Sequence, residues 1–143
     1  MKRTSTAIAL ALLTGLSGAV HAADAPPVDA APLQKWQKGL SRTDLARQSL
    51  SAAGYELIQS RVDFEPGVVS PRHSHPGEEV AFVIEGVMEY QLAGRPLVTL
   101  KAGSALVIPA GTPHIARNVG TGRASELATY VVRIGVPLVK IEE

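Results

Sequence analysis

Gly67-Val68-Val69-Ser70-Pro71-Arg72-His73-Ser74-His75-Pro76-Gly77-Glu78-Glu79, closed seven residues later by Gly86, is the stretch on which the reading of this chain turns. A second cluster answers it downstream: Gly103, then Pro109-Ala110-Gly111, then His114 and Asn118. Both clusters combine turn-forming Gly and Pro with potential metal donors. Together they read as the two parts of one metal site on a small β-barrel.

The donor spacing carries the chemistry. Residues i and i+2 of a strand project to one face, so His73 and His75 aim both imidazoles into the same space. Glu79 follows across the Pro76–Glu78 turn, at the mouth of the next strand. His114 comes from far along the chain, just after the stiff Pro109-Ala110-Gly111-Thr112-Pro113 turn. A rigid support is what a ligand needs to hold its position. Three imidazoles and one carboxylate suit a borderline divalent ion: Fe, Mn, Ni, Cu, Zn or Co. Four protein ligands on an octahedral ion leave two positions for water, oxygen or substrate. Glu79 can also accept a proton there, which makes it the candidate catalytic residue. Glu78 is its rival and is expected to face solvent. The histidines that follow position 22 number three, and all three fall in these clusters.

The flanking residues are assigned bland roles. Gly67, Gly86, Gly103 and Gly111 are expected at positive φ, where the backbone bends. Asn118 is expected to hydrogen-bond backbone rather than touch metal. Arg72 and Arg117 sit one residue off the ligand parity and should point away. Arg95 lies in a turn, and Arg133 opposes an apolar face. Met88 and Tyr90 are expected to fill core.

Outward from the clusters the pattern is β. Ile58, Ser60, Val62 and Phe64 alternate with Gln59, Arg61 and Asp63, a half-buried strand. Val80–Glu85 is apolar on both faces. Met88, Tyr90 and Leu92 alternate with Glu89 and Gln91. Leu97–Lys101, Ala105–Ile108, His114–Val119 and Glu126–Ile134 follow, the last with Ala128, Tyr130, Val132 and Ile134 on one face. Upstream, Ser41–Asp44 reads as a turn or cap and Leu45–Leu50 as a short extended segment. About eight short strands with no long helix predict an all-β antiparallel sandwich or barrel.

The ends of the chain read differently. Lys2 and Arg3, the apolar run Ala7–Leu16 and the sequence Val20-His21-Ala22 have the anatomy of a secretory signal peptide over residues 1–22. The apolar run falls short of the roughly 20 residues that span a bilayer, so no stable membrane anchor is expected. Residues 23–34, rich in Pro and Ala, read as a flexible tether, and 35–143 as one barrel domain. The chain has 143 residues and no Cys. An exported protein of this kind must hold together through its core rather than through disulfides. The leader style suits a bacterial periplasm. Lys2 and Arg3 account for the basic balance: without them the formal charge moves from +1 to −1. No basic patch remains, so nucleic acid is not an expected partner.

The two clusters resemble the paired motifs of the cupin superfamily. Gly67, His73, His75, Glu79 and Gly86 match each position of the first motif (67–86). Gly103, Pro109, Gly111, His114 and Asn118 match each position of the second (103–118). The 16 residues between them, Val87–Ala102, fall in the short range of bacterial members. The resemblance implies a single-domain antiparallel jelly-roll β-barrel with metal at His73, His75, Glu79 and His114. The intact ligand set looks like the quercetin-dioxygenase-like members, which implies a small-molecule ligand or substrate and a dioxygenase-like enzyme. The other reading is a non-catalytic periplasmic module that binds a small ligand or a metal. Val80, Phe82 and Ile84 oppose Glu79 on their strand and need cover from the second sheet, from Leu33–Leu50 or from a partner. Since dimers are common among cupins, a homodimer is expected.

Overall fold

A computed structural model describes residues 38–143. The expected leader, the tether and the first residues of the expected domain lie outside that range. The described residues form ten strands: β1 Leu40–Ser49, β2 Tyr55–Phe64, β3 His73–Ser74, β4 Glu78–Glu85, β5 Val87–Leu92, β6 Val98–Lys101, β7 Ala105–Ile108, β8 His114–Asn118, β9 Ala124–Arg133 and β10 Lys140–Ile141. They build two five-stranded sheets, ordered β1-β2-β9-β4-β7 and β10-β3-β8-β5-β6. Every strand pairing is antiparallel. This is the all-β jelly roll that the sequence predicts.

The alternation places the core as period-2 patterning requires. On β2 Ile58, Ser60, Val62 and Phe64 point inward, and on β5 Met88, Tyr90 and Leu92 do. On β9 the inward set is Ala124, Glu126, Ala128, Tyr130 and Val132. Ile134 does not join them. It lies one residue beyond β9, half exposed, where the chain turns through Gly135.

The N-terminal expectation needs correction. Ser41–Asp44 is not a turn, and the extended segment is not confined to Leu45–Leu50. Both belong to the ten-residue strand β1, which pairs along β2 with a bulge between Asp44 and Ala46. Its inward positions include Arg42 and Asp44, joined by Nη2···Oδ1 at 2.7 Å. Ser60 of β2 donates to the same Asp44 oxygen at 2.7 Å. A polar inward face and an exposed edge leave no hydrophobic alternation to read. β10, two residues long, also carries no periodic signal; β3 holds it in place.

The four motif glycines all have positive φ, from +67° at Gly111 to +90° at Gly103. Gly86 shows why one of them cannot be larger. A Cβ there would stand 2.7 Å from Ala124 Cβ and 2.8 Å from the Arg123 carbonyl oxygen. The β4–β5 turn therefore packs directly on the start of β9. Gly77, which the sequence did not mark, is tighter: its Cβ would lie 1.9 Å from the Val131 carbonyl oxygen.

Candidate metal centre and cavity

His73 and Ser74 form β3, and His73 is the register partner of His114 at the head of β8. His75 follows β3 directly. These three rings belong to one sheet region, and Glu79, second residue of β4, enters from the other sheet. Each imidazole offers a ring nitrogen within 4.8 Å of those of the other two. Glu79 Oε2 lies 3.1 Å from His75 Nε2 and 3.5 Å from His114 Nε2. All four residues are buried, while Glu78 is exposed. The geometry thus gathers the four residues expected to meet and turns the rival carboxylate outward.

The ring orientations are fixed from behind. His73 Nδ1 is 2.8 Å from the Pro71 carbonyl, His75 Nδ1 2.8 Å from that of Leu138, and His114 Nδ1 2.9 Å from that of Thr112. A carbonyl only accepts, so each Nδ1 carries the hydrogen and each Nε2 keeps its lone pair. His75 Nε2 and Glu79 Oε2 stand 3.1 Å apart, each with a lone pair and no hydrogen between them, and neither has a hydrogen-bond partner among the described residues. Buried polar atoms rarely lack partners. Donor atoms that converge without pointing at one another fit a shared central ion, so the residues present suit a divalent metal.

Protons and charges in the cluster pull against burial. Burial alone would raise Glu79, but His114 and His75 outweigh it and hold the carboxyl at about 2. Burial would lower His114, and the Glu79 contact raises it instead. His73 is lowered to about 4, first by burial and then by the charge of His114. A neutral His73 is what ligation needs.

A cavity of about 20 Å³ adjoins the cluster, bordered by His73, Glu79 and His114. A water needs roughly 10–15 Å³ by this measure, so the space admits one or two small groups. The lining also includes residues the sequence reading did not assign to the site: Arg42, Glu126 and Tyr130, the last being the register partner of Glu79 with its ring 4.7 Å from that of His75. Tyr90, expected as core, lines it too. Tyr90 Oη on one sheet donates to Glu126 Oε2 on the other. Glu126 is raised to about 8, by burial first and by the Glu79 charge second. Tyr90 is raised by burial and by Glu126. A signal for Glu126 did exist. It shares the inward parity of Ala128, Tyr130 and Val132, and a carboxylate at that parity is out of place in a core.

Asn118 takes the structural role expected of it. Fully buried, its Nδ2 donates to the Phe64 and Gly122 carbonyls at 3.0 and 2.8 Å, and its Oδ1 accepts from Gly120 N at 2.9 Å. Arg117 reaches outward to Glu89 at 3.9 Å, and Arg72 is exposed. Arg133 lies over the Tyr55 ring at 5.0 Å.

A jelly roll whose interior presents a histidine triad beside a buried carboxylate defines a class of small barrels able to hold a transition ion. Residues 60–130 match the cupin domain model, and the chain belongs to the cupin superfamily. It is 37% identical over 79 residues to germin-like protein 1-1 of Oryza sativa subsp. japonica, an alignment covering 52% of this chain and 37% of that protein. The chain thus spans under two-fifths of the length of such germin-like relatives. Among solved structures it resembles an oxalate oxidase in complex with glycolate, at 26% identity and TM-score 0.59, covering 72% of this chain and 55% of that one. It also resembles the DMSP lyase DddQ of Ruegeria pomeroyi DSS-3, at 26% identity and TM-score 0.55, covering 59% and 42%.

Proposed function

We propose that this protein is an exported metal-dependent enzyme acting on a small carboxylate-bearing molecule. The observation that carries the reading is that Arg42 and Glu126 line the same small cavity as His73, His114 and Glu79. His73, His75, His114 and Glu79 would hold the ion, which is one of Fe, Mn, Ni, Cu, Zn or Co. A bound divalent ion supplies Lewis-acid polarisation of an oxygen ligand and, where it is redox-active, a route for electrons. Asp44 offsets the charge of Arg42, and a protonated Glu126 adds none. With the ion present the cavity is net positive, and an anion is drawn in. Arg42 borders the space with a guanidinium already oriented by Asp44 and Ser60, a fork suited to a carboxylate. Glu79 accepts a proton when it is not fully engaged. Burial excludes bulk water from all of these contacts.

The relatives support the substrate class: the oxalate oxidase structure holds glycolate, and the lyase is named for DMSP. The small cavity argues against flavonol-sized molecules. Oxygen chemistry of the dioxygenase kind is the first reaction to test, and a binding module for the same acids is the second reading. Metal analysis of protein purified from its own compartment, followed by oxygen uptake and product analysis with small acids, tests the proposal. Turnover of one such acid by one metal form is the expected result. Binding without turnover in every metal form favours the module, and absence of metal refutes both.

We also infer a homodimer. Val80, Phe82 and Ile84 are 40%, 38% and 38% exposed on the outer face of the first sheet, beside Val107 at 56%. The second sheet does not cover them, and β1 lies at the opposite edge. Light scattering showing only a monomer at working concentration refutes this.

A further inference from the structure

Glu126 has a job that the motif residues leave open. Its side chain is buried, and no cation of the described residues pairs with it. One oxygen, Oε2, accepts from Tyr90. The other, Oε1, has no hydrogen-bond partner among the described residues. It is also not among the sealed unpaired atoms, which are His75 Nε2 and Glu79 Oε2. Oε1 is therefore open to the cavity that Glu126 helps to line.

We propose that Glu126 is a proton-bearing group of the ligand site, presenting an Oε1–H to a carboxylate or hydroxyl oxygen of the bound small acid while Tyr90 holds its other oxygen. The proposal rests on the reading of the cavity as a small-acid site. Three observations carry it. A phenol hydroxyl donating to Oε2 leaves the carboxyl proton for Oε1. A carboxyl with no cationic partner in a buried site keeps its proton rather than ionise. Oε1 faces the cavity with no partner of its own among the described residues, so its proton is free to meet a ligand oxygen. When Glu126 gives the proton up, the Oε1–H bond breaks and the ligand oxygen gains the hydrogen. The electron pair then stays on the carboxylate, which the Tyr90 hydroxyl continues to stabilise.

The groups that face Glu126 are Tyr90 from β5, Glu79 from β4 and His114 from β8, with Arg42, Tyr130 and His73 around the same cavity. An ion on Glu79 removes part of the repulsion that favours the neutral form. Burial, the largest cause, is untouched by it.

The test uses the metal-loaded full chain and glycolate as the probe. Infrared difference spectra of wild type near pH 6.5 should show a protonated-carboxyl C=O band that is absent in E126Q and shifted by Tyr90→Phe and by glycolate. Calorimetric titration should show glycolate binding weakened about tenfold or more in E126A, the scale of a lost hydrogen bond to a charged group. E126Q, which keeps an N–H donor, should stay within about threefold of wild type near neutrality. Between pH 7 and 9 wild-type affinity should fall more steeply than that of E126Q. Metal content measured on each variant separates a damaged centre from a lost contact. A missing C=O band in wild type, or glycolate affinity equal in wild type, E126A and E126Q across the pH range, overturns the proposal. Wild type that binds no glycolate in any metal form sinks the small-acid reading and this ligand contact with it. Normal binding that ignores both variants sinks only the role of Glu126.

Discussion

Replacing Asn118 by Ala separates a backbone strut from a metal contact. The side chain makes three hydrogen bonds, all to backbone: two carbonyls, Phe64 and Gly122, and one N–H, Gly120. It ties the end of β8 to the end of β2 and to the turn that leads into β9. Ala deletes all three. The Phe64 carbonyl bond is wholly buried, and leaving such a group unpaired costs about 1–3 kcal/mol. The two turn groups are partly reachable by water, so each costs nearer the net value of a hydrogen bond, about 0.5–1.5 kcal/mol. The expected loss is therefore about 4 kcal/mol, or roughly 12–20 °C in Tm for a domain of this size. Urea denaturation with an unchanged m-value is the assay. Metal content should remain that of wild type, because no Asn118 atom is needed among the donors. A loss below about 1 kcal/mol, or full stability with metal gone, refutes the argument.

Further outcomes follow from the geometry. The folded state raises Glu126 to about 8 from the ordinary 4.5, so it binds more protons than the unfolded chain between those values. Stability from this group is present below about 4.5 and is lost as pH rises towards 8; E126Q should flatten that slope in melts at successive pH values. His73, lowered to about 4 from 6.5, acts in the opposite sense, so metal-free E126Q, which lacks the opposing Glu126 slope, should lose stability as pH falls from 6.5 towards 4. His73→Ala, His75→Ala and His114→Ala should each weaken metal binding by more than the roughly 10–100-fold typical of losing an outer partner. Glu78→Gln, on the exposed side, should change the metal-to-protein ratio not at all. Arg42→Met should weaken glycolate binding about tenfold with metal content intact, read by calorimetry. Phe82→Glu should raise the dimer dissociation constant at least about tenfold, seen as a monomer by light scattering.

The parts of the fold legible in the sequence were those with a strict alternation and firm punctuation. β2, β5 and β9 face one water-excluded interior, so their apolar positions repeat every second residue. The four candidate ligands were legible because the motif spacings place them on β3 and just after it, at the start of β4, and at the head of β8 behind a rigid turn. β1 escaped because it is an edge strand whose inward face carries the Arg42–Asp44 pair, a polar device that removes the periodic signal. The rest of the cavity lining escaped for a related reason. Arg42 lies on that same strand, and Glu126 meets Tyr90 only when two sheets distant in sequence are stacked. No local spacing records such a meeting. The parity of Glu126 with Ala128 and Tyr130 was the one trace of it.

The carbonyl behind His75 belongs to Leu138, a residue far outside both motifs. Beyond it, Glu142 N donates to the Arg72 carbonyl at 2.9 Å, and Ser74 Oγ donates to Glu142 Oε1 at 2.6 Å. The tail is thus laced over the His-Ser-His segment like a strap. A version trimmed to residues 60–130 would keep all four candidate donors and still lose the acceptor that fixes one imidazole, along with β1 and its arginine. Anyone cutting this protein back past Leu138 therefore removes the carbonyl that sets the tautomer of His75, although no residue of the tail would touch the ion.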